Sequence, residues 1–261
     1  MKEPEELAFQ LPERSAKPRT CGLTSVIDFG PDTFGWTGES GVRDLLDYAA
    51  PYFDFAKIYA MNALLVPEPT IKRVIGMYQD AGVKCYSGGI LFEYACHTHS
   101  VRDMLRHLKG LGIGAMEISE NYRTLEPAQR RDYIRMVQDH GFHVIYEFGR
   151  KNPTSAFSLD NLSQLVHEMN ELNVEHVIIE QSEIDMIAKS SPDALAALPT
   201  QPWFSQVIVE ADPYRFPQQH AQLLKEFGPE VNLANITAGQ CLRLEGLRRG
   251  IGRAVDYSLL R

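Results

Sequence analysis

Eight short runs rich in β-branched and apolar residues recur along this chain, and their starts lie 25 to 32 residues apart: GLTSVIDFG (22–30), FDFAKIYA (53–60), VKCYSGG (83–89), AMEISE (115–120), HVIYEFG (143–149), EHVIIEQ (175–181), QVIVEAD (206–212) and VNLANI (231–236). Each is too short for a helix and has a mostly apolar or β-branched centre, as suits a strand covered on both faces. Between them, GVRDLLDYAAPYF, VRDMLRHLKGLG, PAQRRDYIRMVQDHG, SLDNLSQLVHEMNELN and QQHAQLLKEFG place apolar residues at i, i+3 and i+4, the spacing of one helical face. Gly82, Gly112, Gly141 and Gly228 stand where helix C-caps are expected, Pro127 where a first turn begins, and Ser158 where an N-cap belongs. Strand followed by helix, eight times in 261 residues, predicts an α/β chain folded as one (β/α)8 barrel. The rival, a doubly wound open sheet, calls for a glycine fingerprint after the first strand, and PDTFGWTGESG lacks its spacing. The polar, proline-containing segment 1–19 reads as an arm or cover, and 20–261 as the barrel.

Composition narrows the function classes. Thirty-four acidic residues against 26 basic ones give a net charge of −8, which argues against nucleic acid as the main partner. A small anionic substrate needs only a local cationic cluster and stays open. Cys21, Cys85, Cys96 and Cys241 include no C-x-x-C pair. The opening MKEPEELAFQLPERSAKPR has no apolar stretch of signal-peptide length, and no run approaches the ~20 residues that cross a bilayer. The expectation is a cytoplasmic enzyme with reduced thiols and no membrane contact. Assembly into a homo-oligomer through the outer helices is compatible with the pattern, which fixes no number.

In such barrels the chemistry sits at the C-terminal ends of the strands. Read in that order, the strand ends offer Asp28, Lys57, Gly88 and Gly89 with Glu93 beyond, Glu117 with Ser119 and Glu120, Glu147 followed by Arg150 and Lys151, Glu180, Glu210 with Asp212, and Asn232 with Asn235. Carboxylates gathered in one cavity are costly unless a cation shares the space. Glu147, Glu180 and Glu210 end three consecutive strands and form a candidate metal site, for which Mg²⁺, a hard ion that takes oxygen ligands, is the natural occupant. The alternative is a buried salt-bridge network with Lys57, Arg150 or Lys151. Gly88 and Gly89 either let backbone amides approach a phosphate or simply make a tight turn.

Other signals are weaker. Cys96-His97-Thr98-His99 looks like a metal site, but it sits at the start of a helical pattern with its histidines two apart. Gly110-Leu-Gly112-Ile-Gly114 precedes a strand, so it is no dinucleotide loop. Trp36 and Trp203 read as packing or lid residues.

The strand-end stretches resemble those of the phosphosulfolactate synthases. The matching segments are K-P-R-x-x-G-L-T-x-V-I-D (Lys17 to Asp28), D-F-x-K (Asp54 to Lys57), Y-x-G-G-x-L-F-E (Tyr86 to Glu93), E-I-S (Glu117 to Ser119), E-x-G-x-K (Glu147 to Lys151), I-I-E (Ile178 to Glu180) and E-A (Glu210, Ala211). They continue as Q-Q (Gln218, Gln219), F-G-P-x-V-N-L-x-N-I (Phe227 to Ile236) and L-E-x-L-R-x-G (Leu244 to Gly250). The resemblance implies a (β/α)8 lyase that adds sulfite to phosphoenolpyruvate with Mg²⁺, through an enediolate-type intermediate, to give phosphosulfolactate. It implies Lys151 as the general acid that protonates C2, in concert with Glu147 and Lys57. Arg150 and Lys57 would clamp the anion, and Asp28, Gly88, Gly89 and Asn235 would meet the substrate. This sequence departs from the family pattern at Phe29, where the family has lysine, and at Ala60-Met61-Asn62-Ala63, Ser119-Glu120-Asn121, Gln181-Ser182-Glu183 and Asp212-Pro213-Tyr214-Arg215. Two cations are thereby absent from loops near the expected substrate. The alternative function is the same fold acting with another nucleophile or another enolisable substrate in a specialised pathway; a non-catalytic barrel is the third reading.

Overall fold

A computed structural model describes residues 11–30, 38–151, 153 and 157–255. Trp36, Asn152 and the first ten residues of the expected arm lie outside them. Eight parallel strands close into a barrel in sequence order: β1 (Thr24–Asp28), β2 (Phe55–Ile58), β3 (Lys84–Ser87), β4 (Ala115–Ile118), β5 (His143–Phe148), β6 (His176–Ile179), β7 (Val207–Glu210) and β8 (Asn232–Ile236). Each falls inside one of the eight apolar runs. β1 closes the ring by pairing with both β2 (Ile27 beside Lys57) and β8 (Thr24 beside Leu233).

The helices are α1 (Gly38–Ala49), α2 (Asn62–Leu65), α3 (Glu68–Asp80), α4 (Gly89–His97), α5 (Val101–Leu111), α6 (Pro127–Asp139), α7 (Leu159–Glu171), α8 (Gln181–Ser190), α9 (Pro192–Ala197), α10 (Gln218–Phe227) and α11 (Cys241–Arg248). Their ends behave as the sequence predicts. Gly112 and Gly228 cap α5 and α10 at positive φ, and Ser158 accepts the Asn161 amide at the start of α7. The β3–β4 connection holds two helices where one was expected. Cys96 to His99 therefore ends α4 rather than starting a helix, with Cys96 buried and His97 and His99 exposed. Trp203 is a packing residue: its indole Nε1 donates to Ser163 Oγ at 3.1 Å and its ring lies against the core.

Two apolar regions sit on either side of the barrel wall. The larger lies between strands and helices. The smaller is the barrel's own plug, made of Leu23, Phe55, Tyr86, Ala115, Ile145, Ile178, Ile208 and Ala234. Because strand side chains alternate with period two, the residues two positions beyond the plug also point inward, one layer nearer the C-terminal mouth. That layer includes Lys57, Glu117, Glu147, Glu180 and Glu210. The opposite mouth is covered by residues 11–19, which lack regular secondary structure; Arg14 pairs with Glu230, and Arg19 Nε lies 3.1 Å from Asp54 Oδ1.

Candidate active site

The polar layer is a buried charge network. Lys57, 7% exposed, places Nζ 2.9 Å from Glu117 Oε2 and 3.5 Å from Glu210 Oε1. Lys151, half-exposed on the loop after β5, holds Nζ 3.4 Å from Glu180 Oε2. Oxygens of Glu147, Glu180 and Glu210, all three residues buried, lie within 4.8 Å of one another. Three carboxylates from neighbouring strands form an all-oxygen donor set, which fits a hard cation. Four carboxylates, Glu117 included, face two ammonium groups, so when all are ionised two negative charges are left over, the charge one divalent ion balances. The candidate metal ligands and the lysine salt bridges thus share one buried cluster.

Electrostatics follow from that crowding. Burial drives the Glu147 carboxyl well above its ordinary value, and Glu117 and Glu210 push the same way. Burial and Glu210 raise Glu180 to about 8, against the pull of Lys151. Glu210 moves down despite its burial, because Lys57 and Lys151 favour its charged form and Glu180 hydrogen-bonds to it. Burial pulls the lysines down, but their carboxylate neighbours outweigh it, leaving Lys57 well above the usual range and Lys151 raised.

Glycine is required where β3 meets α4. The Gly89 amide donates to Glu117 Oε1 at 2.7 Å, and a Cβ there would stand 2.4 Å from Ser119 Oγ and 2.9 Å from Glu117 Oε1. The Gly88 amide donates to Ile58 O at 3.1 Å. These two amides therefore orient the protein's own groups. Gly149, at φ +106°, has the same need: a Cβ would meet Glu183 Cγ at 2.4 Å.

Not every strand-end residue joins the cluster. Asp28 lies five residues past Leu23, so parity turns it outward, where it accepts from Tyr78 Oη at 3.0 Å and from the Gly30 amide at 2.8 Å, and it does not join the carboxylate cluster. Arg150 also points away, its guanidinium donating to Thr124 Oγ1 and its amide to Glu183 Oε1 at 3.3 Å, so it does not stand beside Lys57. Asn235 does reach the cluster: at φ +59° it donates Nδ2 to Glu210 Oε1. Arg215 Nη1 lies 2.9 and 2.7 Å from the two carboxylate oxygens of Asp185.

Two participants exceed the expected set. Glu117 was visible as a strand-end carboxylate, and its offset of two from Ala115 marks it as inward-facing. Asn121 carried no such signal. Its Nδ2 donates to Glu147 Oε1 at 2.6 Å, and its Oδ1 accepts the Lys151 amide at 3.1 Å.

The family model for (2R)-phospho-3-sulfolactate synthase matches residues 12–253. The chain belongs to this family of lyase-type enzymes. It is 34% identical over 240 residues to the phosphosulfolactate synthase of Methanocaldococcus jannaschii, covering 88% of this chain and 92% of that protein. The synthase of Methanothermobacter thermautotrophicus is 31% identical over 93% of this chain and 94% of its own length, and that of Bacillus subtilis 28% over 94% and 96%. Among solved structures, N-acetylneuraminate lyase from Fusobacterium nucleatum superposes with a TM-score of 0.52 at 13% identity, covering 87% of this chain and 74% of that one. KGPDC from Streptococcus mutans gives 0.50 at 12%, covering 92% and 95%. At that identity these two speak for the fold alone.

Proposed function

We propose that this phosphosulfolactate synthase family member adds sulfite to phosphoenolpyruvate, with Lys151 as general acid and Glu147, Glu180 and Glu210 as ligands of Mg²⁺. One observation carries the reading: Lys151 Nζ stands 3.4 Å from Glu180, one of three converging carboxylates, at the mouth of a barrel of this family. Bound there, the divalent ion would offset the negative charge that develops on the substrate carboxylate.

The chain's own groups would do the rest. The sulfur lone pair of sulfite forms a C–S bond to C3 of the enol phosphate, and the C2=C3 π pair moves toward C2 and the carboxylate. Lys151 Nζ then gives its proton to C2; the phosphate ester stays intact and the lysine regains a proton from solvent. The raised pKa of Lys151 keeps that proton on Nζ until charge builds beside it. Lys57 and the Gly89 amide hold Glu117, and Asn235 holds Glu210, so the carboxylate layer meets the substrate already oriented.

The second reading, another nucleophile or enolisable substrate, is favoured by the rim. Phe29 packs against Tyr59, with ring centroids 4.9 Å apart and the rings tilted by 59°, and Arg215 and Arg150 are engaged with Asp185 and Thr124. The test for both is product analysis by mass spectrometry with phosphoenolpyruvate, Mg²⁺ and a panel of nucleophiles. Phosphosulfolactate with sulfite, reduced about 10²–10⁴-fold in Lys151→Ala and in Lys151→Arg, is the expected result. Product with a different nucleophile alone selects the second reading; full activity in Lys151→Ala sinks the assigned role.

A further inference from the structure

We infer that Asn121 is the positioning residue that locks the proton donor to the metal-competent carboxylates, an inference that rests on the proposed function. Asn121 lies on the loop after β4, half-buried, and its side chain bridges to the next loop. The planar carboxamide meets two groups of opposite need. The Lys151 amide can only donate, and it donates to Oδ1 at 3.1 Å. The Glu147 carboxylate accepts, and it accepts from Nδ2 at 2.6 Å. The two partners therefore fix which way the carboxamide faces. An aspartate here would hold the lysine backbone but repel Glu147, and a hydroxyl is too short to span both.

The bridge is itself anchored. Glu93 on α4, 8% exposed, accepts from Ser119 Oγ at 2.5 Å, the Asn121 amide at 2.9 Å and the Tyr122 amide at 2.8 Å. Three donors on one buried carboxylate hold the β4 loop in a single conformation. Asn121 carries that rigidity across to β5, fixing the rotation of the Glu147 carboxylate and the path of the backbone that bears Lys151. Ser182 Oγ braces the same segment by donating to Arg150 O at 2.5 Å. Without Asn121 the metal ligand and the acid could move independently of each other.

The experiment compares wild type with Asn121→Ala and Asn121→Leu, the second keeping the volume while removing both bonds. Mn²⁺ affinity is read by electron paramagnetic resonance, kcat and KM by product formation, and fold integrity by thermal melting. The expected result is a 10–100-fold loss of Mn²⁺ affinity in both variants, with kcat reduced and the substrate KM little changed. Mn²⁺ affinity within twofold of wild type overturns the inference. So does an affinity loss that arrives with a melting drop greater than about 5 °C, which would assign Asn121 a structural part only. Wild type that binds no Mn²⁺ overturns the metal reading and this inference together; wild type that binds Mn²⁺ beside variants that bind it equally well overturns this inference alone.

Discussion

Glu180 stands just past β6 with its carboxyl raised to about 8, so at neutral pH without a cation it holds a proton and shares a hydrogen bond with Glu210. A divalent cation binds the charged form. Cation affinity is therefore expected to rise as pH climbs from 6 toward 8 and to level off above it, with proton release on binding at pH 7. Calorimetric titration of Mn²⁺ in two buffers of different ionisation enthalpy reads the protons released, and a pH-independent affinity would refute the idea. A carboxyl raised in the folded state stabilises the fold fully below its unfolded value, and that contribution is lost as pH rises through about 8. Alkaline pH should thus soften the cation-free protein, and added Mg²⁺ should restore it.

At the scale of elements, the junction of β3 and α4 shows how backbone places side chains. Gly89 lets the helix begin against β4, close enough for its amide to hold Glu117, whose other oxygen meets Lys57. Gly89→Ala is expected to cost about 1–3 kcal/mol, because the new Cβ overlaps Ser119 and Glu117, both buried. It should also disturb the carboxylate layer. Chemical denaturation reads the first effect and Mn²⁺ affinity the second; an unchanged midpoint would show that the junction relaxes freely. The elements themselves were plain in the sequence, since apolar run length and the glycine caps marked every strand and five of the helices. The second helix between β3 and β4 was not, because YACHTHSV offers no proline or glycine where α4 ends.

At the scale of the whole molecule, the carboxylate layer occupies the inside of the C-terminal mouth, and a second source of acid sensitivity lies outside it. His220 on α10 is wholly buried beside Phe216, with ring centroids 4.8 Å apart and neither ring nitrogen hydrogen-bonded among the described residues. Burial, aided by Arg248, lowers its pKa to about 4. Its folded pKa lies below the unfolded value of about 6.5, so the unfolded chain takes up a proton first and stability falls as pH drops from about 6.5 to 4. The full effect is about 3 kcal/mol. His220→Leu should flatten that part of the stability profile measured by denaturant midpoints at successive pH values; an unaltered slope would assign the acid sensitivity to other groups.

Periodicity alone determined the barrel, and with it the face where the site lies, because a closed parallel sheet needs only eight apolar runs and the helices that cover them. It also marked Lys57, Glu147, Glu180 and Glu210 as candidates, since each stands at the C-terminal end of an apolar run; the structure shows each two residues beyond a plug residue. Tertiary structure decided what each group meets. Asp28 faces outward because its offset from Leu23 is odd, and Arg150 turns to Thr124 because the loop beyond β5 aims it there. Asn121 joins Glu147 to Lys151, residues that lie 26 and 30 positions from it in sequence. Strand direction follows local periodicity, but the partner of a loop side chain depends on where distant loops converge, and only the closed barrel brings them together.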